Sequence, residues 1–155
     1  MGTRSFITIK HKDNTYSGVY CHWDGSPEWN GEVLKKDYQA RSKVVDLIDG
    51  GDMSSLKTKQ TWDSHPLYEL DENGERTFTT VKDENGLSVY TNEREPQPLY
   101  YYERGETEYD TVYPKQFKTY QQLYKYAKNC GCEFIYTFDD TVGEDQPWWS
   151  FCGVN

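Results

Sequence analysis

SFITIKHKDNTYSGVYCHW, residues 5–23, is the stretch that decides the fold. SFITIK alternates and is rich in β-branched residues, so it reads as a strand. KDNT (12–15) is a turn cluster, and YSGVYCHW (16–23) reads as the returning strand of a hairpin. Side chains alternate across a strand. Val19, Cys21 and Trp23 are therefore expected on one face, and Gly18, Tyr20 and His22 on the other.

Working outward, the turn at 24–27 leads to Asn30, which is placed to cap a short helix with Val33, Leu34 and Tyr38 on its buried side. Ser42 is placed to cap a second helix. Its Val44, Val45, Leu47 and Ile48 follow helical spacing, and Gly50 with Gly51 stop it. DMSSL (52–56) reads as one further helical turn. Towards the other end, Phe117, Tyr120, Leu123, Tyr124 and Ala127 form an amphipathic stripe closed by Asn129 and Gly131. EFIYTF (133–138) and WWSFC (148–152) read as strands around the turn-rich stretch 139–147. Strands at both ends with helices between them make an α+β fold, expected as a mainly antiparallel sheet with helices packed on one face.

Residues 69–110 differ in character. They carry twelve acidic and four basic side chains, a net −8 out of the chain's −9. The pairs Asn73-Gly74 and Asn85-Gly86 sit between short runs such as FTTV and LSVY, the strongest short hairpin signal. Residues 98–113 read as another strand pair. The segment is expected to be an acidic, β-rich insertion within one domain spanning residues 1–155. A solvated loop region that only keeps the protein soluble is an equal alternative.

Composition narrows the function classes. Only 35% of residues are hydrophobic, but 16% are aromatic, so tyrosine and tryptophan must supply core area that aliphatics do not. That aromatic content argues against disorder. A net charge of −9 argues against a broad grip on nucleic acid or on an anionic membrane surface. It suits a basic partner instead. No apolar run approaches a membrane span, and no apolar leader is evident at the start, so a cytoplasmic protein with Cys21, Cys130, Cys132 and Cys152 as free thiols is expected. The Cys130–Cys132 spacing is not that of a zinc knuckle, and neither a metal nor a cofactor is expected. Tyrosine-rich strands also leave faces able to pair with a second copy.

The chemistry, if any, concentrates in YCHWDGSPEWNGEVL (20–34). A structural reading accounts for each residue in turn. Trp23 anchors the core, Asp24 and Gly25 turn the chain, Pro27 stiffens the loop and Asn30 caps the helix. A binding reading gives the same residues to a ligand. Trp23 and Trp29 offer flat faces for a base, Asp24 or Asn30 can read its edge, and Arg4 beside Ser5 can hold a phosphate bidentately. His22 completes that set. A catalytic reading pairs His22 with Asp24 for acid–base work, as in a small hydrolase. The remaining histidines, His11 and His65, lie in no motif, and neither a zinc-protease signature nor a phosphate loop is present.

The opening GTRSFITIK followed by VYCHWDGSPEWNGEVL resembles a family of small proteins from phage and prophage genomes. They begin Met-Gly-Thr-Arg-Ser and carry a His- or Gln-Trp-Asp-Gly turn after a short strand. The similarity covers roughly residues 1–56, including SKVVDLIDGGDMSSL, and returns in the C-terminal helix and FIYTF. Ser26 stands where the family usually has tyrosine. The resemblance implies a phage accessory protein working in the cytoplasm of an infected bacterial host, and so a counter-defence factor. Two routes follow from it. One sequesters a host signalling nucleotide without cleaving it. The other uses an acidic surface, with Glu103, Glu106, Glu108 and Asp110, to mimic nucleic acid and block a basic host defence protein.

Overall fold

The computed structural model describes residues 2–62, 68–78, 80–82, 84–90, 94–143 and 147–155. His65 and Thr79 of the FTTV run lie outside these. The opening hairpin forms as its sequence dictates. Strand β1 (Ser5–Lys10) pairs antiparallel with β2 (Tyr16–Cys21), Ser5 opposite Cys21 and Lys10 opposite Tyr16. The turn is closed by the His11 N–H donating to the Thr15 carbonyl, with Asn14 at φ 69°. The Asp13 carboxylate accepts from both the N–H and the hydroxyl of Thr15.

β1 lies inside a seven-stranded sheet ordered β11 (Trp149–Gly153), β10 (Phe134–Phe138), β1, β2, β3 (Met53–Thr58), β8 (Gln97–Tyr100), with β9 (Lys115–Phe117) paired to β2 off this path. The first five residues of β1 are all buried, the polar Ser5 and Thr8 included. Ile7 and Ile9 enter one core with Val19 and Cys21, and Phe6 enters another with Ile135. Of the remaining strands, β3 runs parallel to β2, and β10 parallel to β1. β8, β9 and β11 pair antiparallel with β3, β2 and β10. The protein is α+β. Its sheet is mixed: the two parallel pairs, β1 with β10 and β2 with β3, are each joined by the long crossover that parallel pairing requires.

Helices cover both faces. α1 (Glu32–Asp37) and α2 (Arg41–Asp49) place Leu34, Val44, Leu47 and Ile48 against Ile7 and Ile9. α4 (Tyr120–Asn129), capped by the Thr119 hydroxyl accepting from the Gln122 N–H, places Leu123 and Ala127 against Phe6 on the opposite face. The expectation of helices on one face thus holds for α1 and α2 only, since alternation along β1 gives each face its own apolar set to cover.

Other sequence expectations change with the fold. DMSSL is not a helical turn but the start of β3, where Met53 and Leu56 join the core. Ala40, not Ser42, stands at the N-cap of α2. Residues 98–113 are not a strand pair: β8 gives way to a 3-10 turn (Tyr101–Arg104) and the short α3 (Tyr109–Val112). Both Asn-Gly pairs do turn hairpins. β4 (Tyr68–Leu70) pairs with β5 (Arg76–Phe78), and β6 (Thr80–Lys82) with β7 (Ser88–Tyr90), with Gly74 and Gly86 each at φ 79°.

β9 and β3 share one edge of β2, β9 at residues 16–18 and β3 from Cys21 onward. In the gap, the Asp52 carboxylate accepts the Tyr20 N–H at 2.9 Å and pairs with Lys115 at 3.1 Å. Burial holds the Asp52 carboxyl above its usual range, opposed by that N–H and by Lys115.

Candidate functional site

The end of β2 is where the singled-out residues gather. The ladder to β3 continues past Cys21, with the His22 N–H donating to the Met53 carbonyl and the Trp23 N–H to the Ser54 carbonyl. Asp24 then turns the chain at φ 60°. A π-helical turn (Pro27–Gly31) follows and runs into α1. Asn30 is buried there rather than capping a helix: its side-chain amide donates to the Trp23 carbonyl at 3.0 Å and to the Cys21 sulfur at 3.4 Å. The Tyr136 hydroxyl donates to the Gly25 carbonyl, and the Gly25 N–H to the Thr3 carbonyl, so the corner is pinned to β10 and to the N-terminal segment.

Trp23 does not enter the core. It is 44% exposed, its benzo ring lies against Gly2, and its edge meets the His22 ring at 4.6 Å. With Asp24, Ser54, Ser55, Thr58 and Trp62 it lines a groove of about 500 Å³. Trp62 is held firmly. Its indole N–H donates to the Tyr100 carbonyl at 2.6 Å, its ring stacks on Tyr101 at 5.2 Å, and the Arg104 guanidinium lies 4.5 Å over it. The groove is thus lined by two indoles and by hydroxyl, carboxylate, amide and ammonium groups, the last two from Gln60 and Lys57.

Beside it, the Tyr20 hydroxyl and His22 Nδ1 lie 2.7 Å apart. Arg4 acts on this pair. Burial first, and the Arg4 charge second, hold His22 below its usual pKa. The same charge acts on Tyr101 and Cys132. Burial pushes the Tyr20 phenol up to about 12, so it stays a hydrogen-bond donor at neutral pH. Burial likewise pushes the thiols of Cys21 and Cys132 up to about 12, and all four cysteines are free. Neutral, desolvated thiols are poor nucleophiles.

Of the residues expected at the site, Arg4, His22, Trp23 and Asp24 gather around the β2 end. Ser5 and Asn30 are buried in the framework beneath it, and the Ser5 hydroxyl has no hydrogen-bond partner among the described residues. Trp29 stands 65% exposed on the π-helical turn and does not line the groove. His22 bonds Tyr20 rather than Asp24. Sequence reasoning misses Tyr20, Trp62, Tyr101 and Arg104 as site residues. Strand parity puts Tyr20 beside His22, but the other three arrive through β3 and β8, and no local pattern announces that.

The acidic set is partly engaged. Glu103 pairs with Arg94 at 2.6 Å and accepts the Tyr100 N–H, and Glu106 pairs with Arg104 at 2.9 Å. Glu108 caps α3 through its carbonyl, and the Asp110 carbonyl accepts from Lys115. Among the described residues, no group of three or more His, Cys, Asp or Glu is arranged to hold a metal ion, and no helix is long and apolar enough to cross a membrane. No family model, curated protein or solved structure matches the chain.

Proposed function

We propose that this protein binds a nucleotide without converting it, with the base in the groove lined by Trp23 and Trp62. The observation that carries the reading is that Trp62, held by the Tyr100 carbonyl and by Tyr101, lines one polar groove together with the half-exposed Trp23. Stacking on a fixed indole costs little ordering and contributes roughly 1–3 kcal/mol per base. Asp24, Ser55 and Thr58 supply the hydrogen-bonding groups that would read the base edge. Sequestration fits a site that has aromatic walls but no activated nucleophile among its described residues. With the phage-family resemblance, the biological role we propose is counter-defence, by removing a host signalling nucleotide inside an infected bacterium.

The test is tryptophan-fluorescence titration against a panel of cyclic and linear nucleotides. Trp62→Ala should weaken binding roughly tenfold or more while the chain still melts cooperatively, in line with the stacking contribution. Binding by Trp62→Ala at wild-type strength would refute the groove assignment. Acidic mimicry of nucleic acid is the second reading, and the net −8 of residues 69–110 supports it. It stands behind the first because Glu103 and Glu106 already carry arginine partners. A hydrolase built on His22 and Asp24 stands last, because His22 is committed to Tyr20.

A further inference from the structure

The two edges of the large sheet are unlike. β8, at one end, is blunted. Pro98 has no N–H to offer, its carbonyl accepts from Arg94, and the register against β3 shifts twice. β11, at the other end, carries none of these devices. It pairs with β10 without a register shift, and residues 147–155 hold no charged side chain, although 28% of the chain is charged. The pairing also fixes which backbone groups are free. The Asp139 N–H donates to the Trp148 carbonyl and the Val154 N–H to the Glu133 carbonyl, so between them Ser150 and Cys152 face β10. Alternate residues of an antiparallel pair bond to the partner strand, and the N–H and C=O of Trp149, Phe151 and Gly153 therefore point away from it. Among the described residues, none bonds to these outward groups. Phe151, at the middle of the strand, is 49% exposed, with Phe134 and Tyr136 on its inner side. Beside Gly153 a Cβ would meet nothing nearer than the Glu133 carbonyl oxygen, at 4.0 Å.

We infer that β11 pairs antiparallel with β11 of a second copy of this chain, about a two-fold axis at Phe151, joining the two sheets into one. That register sets Phe151 opposite its own copy, and Trp149 opposite Gly153 of the other copy. The same residues face outward in both copies, so every outward N–H and C=O of the three finds a partner. The side chains agree. Aromatic pairs across strands stabilise a ladder, and a glycine leaves room for the aromatic ring opposite it. Charge selects the occupant. Like charges set opposite each other would oppose self-pairing in a chain of net −9, and this strip brings none. A charged peptide would find no counter-charge on it, whereas a second copy brings a strip equally uncharged. The Trp23–Trp62 groove lies towards the β3 and β8 end of the sheet, so pairing at β11 leaves it open and does not depend on nucleotide binding.

The experiment is sedimentation equilibrium of the full chain across a concentration series, with amide hydrogen exchange read by NMR on the same samples. Wild type should form a dimer. Its Trp149, Phe151 and Gly153 amides should exchange about tenfold or more slower at the top of the series than at its foot, while those of Ser150 and Cys152 stay unchanged. Two variants are compared after a melting check. Phe151→Lys sets a charge against its own copy, and Phe151→Pro removes the central outward N–H without touching a bond to β10. Both should be folded monomers, whereas Trp29→Lys, which changes an exposed aromatic elsewhere, should remain a dimer. If neither Phe151 variant folds, the concentration dependence of the three wild-type amides decides alone. A dimer that survives in both variants, or whose edge amides ignore concentration, is built elsewhere and overturns the inference. A monomer at every concentration also overturns it. Fast edge amides would then leave β11 to an extended segment of another protein, and slow ones would mean that the chain covers its own edge.

Discussion

At the scale of single residues, His22 reports the local field. It sits beside Tyr20, is partly desolvated and feels Arg4, so its imidazole is expected to titrate below the usual 6.5. The sign follows from linkage. Between 6.5 and the lower folded-state value the unfolded chain holds the extra proton, so acidification through that window favours unfolding. NMR titration of the ring should show the lowered value, and His22→Gln should flatten the fall in melting temperature over the same window. A ring titrating at or above 6.5 would contradict the described environment. Residue chemistry is only partly legible in the sequence. The parity that puts Tyr20 with His22 holds, because β2 is regular to Cys21. Asn30 looks like a helix cap but is a buried staple, since side-chain amides bond well to a backbone carbonyl in a turn as well as at a cap.

At the scale of elements, local signals succeed where one mechanism dominates. The KDNT turn and both Asn-Gly hairpins need only backbone conformations that Asn and Gly tolerate, and they appear where expected. DMSSL does not read as a strand because it holds no β-branched residue, and it becomes one through pairing with β2 and β8. The α2–β3 corner makes the point testable. Gly51 stands at φ 82°, and a Cβ there would lie 2.5 Å from the carbonyl oxygen of Thr111 in α3, just before the segment that brings Lys115 to Asp52. Gly51→Ala should destabilise the protein by about 2 kcal/mol or more in urea denaturation, from the left-handed backbone together with the clash. Wild-type stability would show that α3 does not dock as described.

At the scale of the whole molecule, the fold class is legible because strands at both chain ends have few ways to meet without making a sheet with helices packed on it. The two-sided packing is not, since a six-residue strand such as β1 shows two apolar sets without saying which helix covers each. The site is half legible for the same reason. Residues from the β2 end can be read locally, but their partners after β3 and after β8 are brought in only by tertiary pairing. The central claim is binding of an intact nucleotide, and native mass spectrometry of the full chain with a nucleotide panel addresses it most directly. The account predicts a discrete added mass equal to one unaltered nucleotide, lost in Trp62→Ala. A bare chain across the whole panel, or a nucleotide returned as cleaved product, would contradict it.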